Sequence, residues 1–210
     1  MQAACGCRNY RRRMIVKELL YDWFGLNEWV FASLYFLHFP GVGEFWRVAS
    51  YVYSYWAVAF VVLAICFRYL RIRHQATEFQ LDRMGTFLVE LITAFSIVWC
   101  TVYTFQNISL MPRPWLVLPD LVAAQVPLLW HEGLPASAPA IAVMLGSLAW
   151  RHLDHSKHKF LIAYVTLGCA LSVVSGVNWP VEVVAGALLG WVGAKAGQWY
   201  LRFTRRIVAP

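Results

Sequence analysis

Residues 171–191 read LSVVSGVNWPVEVVAGALLGW. A polar break around Ser175, Gly176 and Asn178 gives way to Trp179 and Pro180, then to a run rich in glycine, alanine and leucine. Proline suits the first turn of a helix, where its missing N–H would have no partner within the helix in any case. The apolar run from Val181 continues to Leu201, about the length a bilayer core requires. Asn178 and Glu182 stand four residues apart at the mouth of this span. Polar groups placed there can line a site, or they can simply cap the helix, where an acid in the first turn suits the helix dipole. Further along, Gly186, Gly190, Gly193 and Gly197 recur at spacings of four, three and four. Small residues on one face let membrane helices approach closely, and packing within the chain is preferred to a dimer seam.

The rest of the chain is consistent with a membrane setting. Of its 210 residues 60% are hydrophobic and only 14% charged, and the mean hydropathy is +0.54. A soluble domain of this size rarely has such a composition. Further spans are expected at Ser50–Tyr69, Met84–Phe105, Ala136–Trp150 and Phe160–Ser175, with tryptophan and tyrosine gathered toward segment ends. The fold class expected is all-α, a polytopic membrane bundle of about six segments. Residues 1–18 form a basic arm, 19–206 a single membrane domain and 207–210 a tail. The net charge of +7 does not point to nucleic acid, because of where the charges fall. Arg68, Arg71, Arg73 and Arg83 lie in one loop, Arg151, Lys157 and Lys159 in another, and Arg202, Arg205 and Arg206 after the last span. Alternating spans put all three on one side, the cytoplasm by the positive-inside rule, with Asn178 and Arg113 on the other. The basic N-terminus asks for the cytoplasm too, which requires residues 19–40 to cross despite Asp22, Asn27 and Glu28; an interfacial or re-entrant segment is the alternative. No secretory signal pattern is evident.

Among the five cysteines, Cys66, Cys100 and Cys169 read as small buried hydrophobes, and Cys5 and Cys7 as free cytosolic thiols in preference to a pair with a metal or lipid role. The stretch from Gln106 to Pro135 reads as a long external loop, since prolines at 112, 114, 119, 127 and 135 forbid a continuous helix. His152, His155 and His158 could hold a metal on a helix, but they sit among Asp154, Lys157 and Lys159, and a solvated loop is preferred. No metal or cofactor is expected.

Three external pieces resemble the signature motifs of the type 2 phosphatidic acid phosphatase superfamily, Lys-x6-Arg-Pro, Pro-Ser-Gly-His and Ser-Arg-x5-His-x3-Asp. The first is QNISLMPRP, with Gln106, six residues, then Arg113 and Pro114. The second is PASA, Pro135 to Ala138, and the third places Ser172, Asn178 and Glu182 at the family spacing. Order and membrane placement agree from about Gly41 onward. The resemblance implies a membrane helical bundle whose site faces outward, built for lipid phosphates.

The departures decide the functional expectation. The family's nucleophilic histidine falls at Asn178, its orienting aspartate at Glu182, its acid histidine at Ala138, its third-motif arginine at Ser172 and its lysine at Gln106. Only Arg113 remains of those groups. An amide is a poor nucleophile, a methyl group has no proton to give, and losing cations removes stabilisation of the transferring phosphoryl group. The resemblance therefore implies a catalytically degenerate protein, a scaffold or accessory subunit among membrane lipids and other membrane subunits. In that role Arg113, Asn178, Glu182, Ser137 and His131 could meet a lipid phosphate head group. An active phosphatase or phosphotransferase of altered mechanism is the alternative, motivated by His131 and Glu132 just before PASA; Ser137 lacks an evident base.

Overall fold

A bilayer offers backbone groups no water to bond, so apolar runs that cross it close their own hydrogen bonds as helices. A computed structural model describes residues 25–37, 41–72, 77–108, 114, 118 and 134–208, and among these every regular element is helical. In chain order they are α1 (Leu26–Tyr35), α2 (Val42–Ala49), a 3-10 turn (Ser50–Tyr53), α3 (Tyr55–Ile72), α4 (Glu78–Ile108), α5 (Ser137–His152), a second 3-10 turn (His155–Lys157), α6 (His158–Val174) and α7 (Pro180–Val208). At 1.5 Å per residue, the 31 residues of α4 and the 29 of α7 reach about 45 Å, beyond a hydrocarbon core of about 30 Å. The expected spans correspond to α3 through α7 with shifted ends. Ser50–Tyr53 winds as 3-10, the chain turns extended at Ser54 (ψ 174°), and only then does α3 begin. Gln106 belongs to the last turns of α4 rather than to the loop.

The outer surface is apolar, as a lipid-facing surface must be. Along α3, Trp56, Phe60, Leu63, Phe67 and Leu70 recur at helical spacing, and each is 60–73% exposed. Such a stripe would be a liability in water and is at home in lipid. It also corrects the reading of the cysteines. Cys100 is exposed, and Cys66 and Cys169 are half-buried. An apolar residue in a membrane helix has two apolar destinations, so its chemistry does not say which one it takes.

The inner core is the meeting of α4, α5 and α7. Leu91, Ala94, Val98 and Val102 of α4 pack on Ala140, Ile141, Met144 and Leu148 of α5 and on Ala194 of α7. The glycines of α7 make this possible. A Cβ at Gly186 would lie 2.3 Å from the Ala136 carbonyl oxygen, and one at Gly190 2.1 Å from that of Ala140. Gly193 and Gly197 serve the other neighbour, where a Cβ would meet Val98 Cγ2 at 2.3 Å and the Glu90 carbonyl oxygen at 2.7 Å. The small-residue face thus packs within the chain, shared between two helices.

Two further clusters lie toward the end where α7 begins. Tyr53 and Tyr164 stack at 4.8 Å, and each hydroxyl donates to a carbonyl of the other's segment, Tyr164 O and Val52 O, both at 3.1 Å. At the mouth of α7, Phe31 and Tyr35 of α1 pack with Val173, Trp179, Val181 and Val183. Helix α1 has only ten residues, about 15 Å, half a hydrocarbon core. The crossing expected of residues 19–40 is therefore represented, among the described residues, by a half-length helix docked at the mouth of α7. The N-terminal arm and the Cys5–Cys7 pair lie outside the described residues.

Candidate functional site

The start of α7 has to be assembled from several elements, because the first N–H groups of a helix have no partner within it. Trp179 occupies the N-cap position, and its carbonyl accepts the first intrahelical bond from Val183 N–H at 3.1 Å. Glu182, three residues on, folds its Oε2 back to accept the Trp179 backbone N–H at 2.9 Å. This is the carboxylate half of a capping box. The other half normally comes from a serine or threonine side chain at the N-cap, which tryptophan cannot supply. A distant residue provides an acceptor instead: Asn27 Oδ1 of α1 accepts Val181 N–H at 3.1 Å. Asn27 is 1% exposed and Glu182 fully buried, so both bonds are sheltered from water. The buried carboxylate also lies against the positive end of the helix dipole.

The same bonds gather the motif positions at one end of the bundle. Asn178 N–H donates to Ser172 O at 3.0 Å, closing the turn between α6 and α7. Ser172 Oγ donates to Cys169 O at 2.9 Å, within its own helix. Ala136 N–H donates to the backbone oxygen of Glu182 at 3.1 Å, joining the start of α5 to α7. Gln106 Nε2 donates to Pro135 O at 3.1 Å, joining the end of α4 to the start of α5. Gln106, Pro135 to Ala138, Ser172, Asn178 and Glu182 are therefore linked through neighbouring backbone segments. Ala138 is half-buried and packs against the apolar cluster of Tyr53, Leu171, Val174 and Val177. Ser172, Ser137 and Asn178 are all buried. Arg113, His131 and Glu132 lie outside the described residues, while Pro114, beside Arg113, is buried.

Chemically, the described motif positions on this end supply two amides, hydroxyls, a methyl and one carboxylate. The carboxylate holds backbone, and Gln106 donates to backbone where a lysine would face an anion. Among the described motif positions there is no imidazole and no cation.

Sequence reasoning passed over two polar residues. Asn27 was read only as an obstacle to crossing; its partner is 154 positions away. Glu90 lies inside an expected span, and an acid there requires a partner. It is 3% exposed and meets Arg151 Nη1 at 3.3 Å and His152 Nε2 at 3.1 Å. This changes the reading of the histidine loop. His152 is half-buried on α5 and bound to Glu90, and His158 stacks on Trp150 at 3.8 Å. The loop between them, Leu153 to Lys157, is exposed as expected of a solvated loop, with Lys157 and Asp154 paired at 3.5 Å. No group of three or more metal-ligating side chains occurs among the described residues.

The architecture is the all-α membrane helical fold of the type 2 phosphatidic acid phosphatase kind. Among solved structures the chain is similar to LpxE of Aquifex aeolicus, a lipid phosphatase, with a TM-score of 0.63 at 19% identity over 83% of this chain and 96% of the other. No protein-family model and no curated protein matches the sequence.

Proposed function

We propose that this protein is a catalytically degenerate relative of the lipid phosphatases whose fold it shares, acting as a scaffold or accessory subunit in a membrane complex. The observation that carries the proposal is the fate of Glu182. Its position in the motif would orient a nucleophilic histidine, yet its carboxylate caps the helix that bears it, beside an asparagine. Gln106 is likewise tied to the Pro135 carbonyl, and Ala138 packs into an apolar cluster. Side chains that would handle phosphate have become structural, and the frame is retained. A protein keeps an emptied frame when its surface has the function, and here the surface is long, apolar and aromatic. Within this reading Arg113 is the cation left to meet a lipid phosphate.

The setting proposed is the inner membrane, crossed several times, with the motif end extracytoplasmic and the basic end and C-terminus cytoplasmic. The distribution of arginine and lysine supports this orientation. An active enzyme using His131 is the competing reading, and the shared fold is its support. Extraction in mild detergent followed by size-exclusion chromatography and mass analysis tests the scaffold role. A membrane partner in fixed stoichiometry is expected, surviving a second affinity step. A homogeneous species holding this chain alone would overturn the scaffold role.

A further inference from the structure

At the end of the bundle opposite Asn178, three elements bring cations around one cavity. Arg68 comes from the last turns of α3, Arg83 from the first turns of α4, and Lys157 from the short turn before α6. The cavity measures about 520 Å³, and none of the described residues lining it is acidic. Its charge is partly engaged. Lys157 meets Asp154 at 3.5 Å, and Arg83 Nη2 donates to the His152 carbonyl at 2.5 Å. A guanidinium has five N–H donors, so that bond positions Arg83 without exhausting it. Arg68 is exposed and makes no ion pair among the described residues. Glu90, the nearby buried acid, is already matched by Arg151 and His152.

Val61, Phe87 and Ala149 line this cavity and also a second one, so the two are neighbours along the bundle. The second measures about 810 Å³, and none of the described residues lining it is charged; Trp56, Phe60 and Tyr164 are among them. Trp56 and Phe60 are 69% and 73% exposed, on the lipid-facing stripe of α3. A cationic pocket adjoining an apolar groove open to lipid matches an amphiphile with an anionic head. Basic pockets between membrane helices are suited to anionic head groups.

We propose that the basic end of the bundle binds an anionic glycerophospholipid, its phosphate held by Arg68 and Arg83 and an acyl chain lying in the groove between α3 and α5. The shared wall of pocket and groove favours a lipid over free phosphate, which would have no use for the groove. The site lies about 35 Å along α4 from Gln106, taken from 23 residues of helix, and is independent of the fate of the motif positions.

The test uses the full chain in phosphatidylcholine vesicles with a trace of spin-labelled phosphatidylglycerol or spin-labelled phosphatidylcholine, reading the motionally restricted fraction. Phosphatidylglycerol is expected to be preferred several-fold. Arg68→Gln and Arg83→Gln should each reduce that preference about fivefold, from the roughly 1 kcal/mol a cation contributes near an anionic head. Arg202→Gln, a basic residue outside the pocket, should leave it unchanged, and Ala57→Phe should fill the groove and lower binding without touching a charge. Arg68 is exposed, so its substitution leaves the core intact. Equal losses from Arg202→Gln and Arg68→Gln would mean diffuse surface charge and overturn the site. So would a preference that survives both pocket substitutions. Displacement of the label by millimolar inorganic phosphate, with Ala57→Phe without effect, would reduce the site to a phosphate pocket and overturn the lipid assignment.

Discussion

Gly190→Leu is expected to prevent this protein from accumulating as a folded species. A Cβ at that position would stand 2.1 Å from the Ala140 carbonyl oxygen, 2.9 Å from its carbonyl carbon and 3.1 Å from its Cα. All three are backbone atoms of α5, so no side chain can rotate away to make room. The helices would have to separate, and with them the core of Leu91, Val98, Ile141, Met144 and Leu148. Overpacking a well-filled core costs about 1–3 kcal/mol when side chains can yield; here the cost should exceed about 3 kcal/mol. Gly85→Ala is the control. It lies in α4 with nothing within 4 Å of a new Cβ, so alanine there should be neutral or stabilising by up to about 1 kcal/mol. Size-exclusion profiles of the two detergent-extracted variants give the comparison. A Gly190→Leu protein that elutes and melts like wild type would refute the close approach of α5 and α7.

Trp179→Ala should have the next largest effect. The indole is 2% exposed, lies 5.0 Å from the Phe31 ring, and sits in a cluster that joins α1 to the start of α7. Truncating a buried tryptophan costs about 3–5 kcal/mol. For a chain of this size that corresponds to a fall of about 10 °C or more in thermal midpoint. The loss should not be uniform. With its anchor gone, α1 should detach first, withdrawing the Asn27 acceptor from Val181 N–H. Limited proteolysis should therefore cleave near α1 well below the temperature at which α4, α5 and α7 separate. A variant that resists cleavage there and melts as wild type would show that α1 is held by other contacts.

Much of this architecture was legible in the sequence, and the reason is the solvent. Lipid requires each span to satisfy its own backbone, so long apolar runs identify α3 to α7 directly. The glycine spacing on α7 announced a close approach, and the pairing of Pro180 with Glu182 announced a helix start. What escaped were the contacts between segments distant in the chain. Asn27 looks like an interruption of an apolar run until Val181 is seen above it. Glu90 looks like a flaw in a span until Arg151 and His152 supply its partners. The outward placement of Cys100 was invisible because lipid and core are both apolar. At the motif end, residue types alone said which of the family's groups are replaced. They did not say what Glu182 and Gln106 do instead, since the backbone groups they bond belong to turns that no periodicity describes. The short α1 was hard to read for a related reason: it is held by Phe31, Tyr35 and Asn27 against α6 and α7 and not by a pattern of its own.

We propose a phosphatase-like frame that persists without phosphatase chemistry. Its most direct test is phosphate release by the purified protein in detergent micelles, offered phosphatidic acid, lysophosphatidic acid and an undecaprenyl pyrophosphate analogue. Asn178→Ala, Glu182→Gln and His131→Ala are assayed in parallel. No release above a detergent blank is expected for any of the four proteins, at any substrate. Release by wild type that disappears in Asn178→Ala, Glu182→Gln or His131→Ala would contradict the account, because a catalytic group would then be at work where an amide, a helix cap and a loop histidine are assigned.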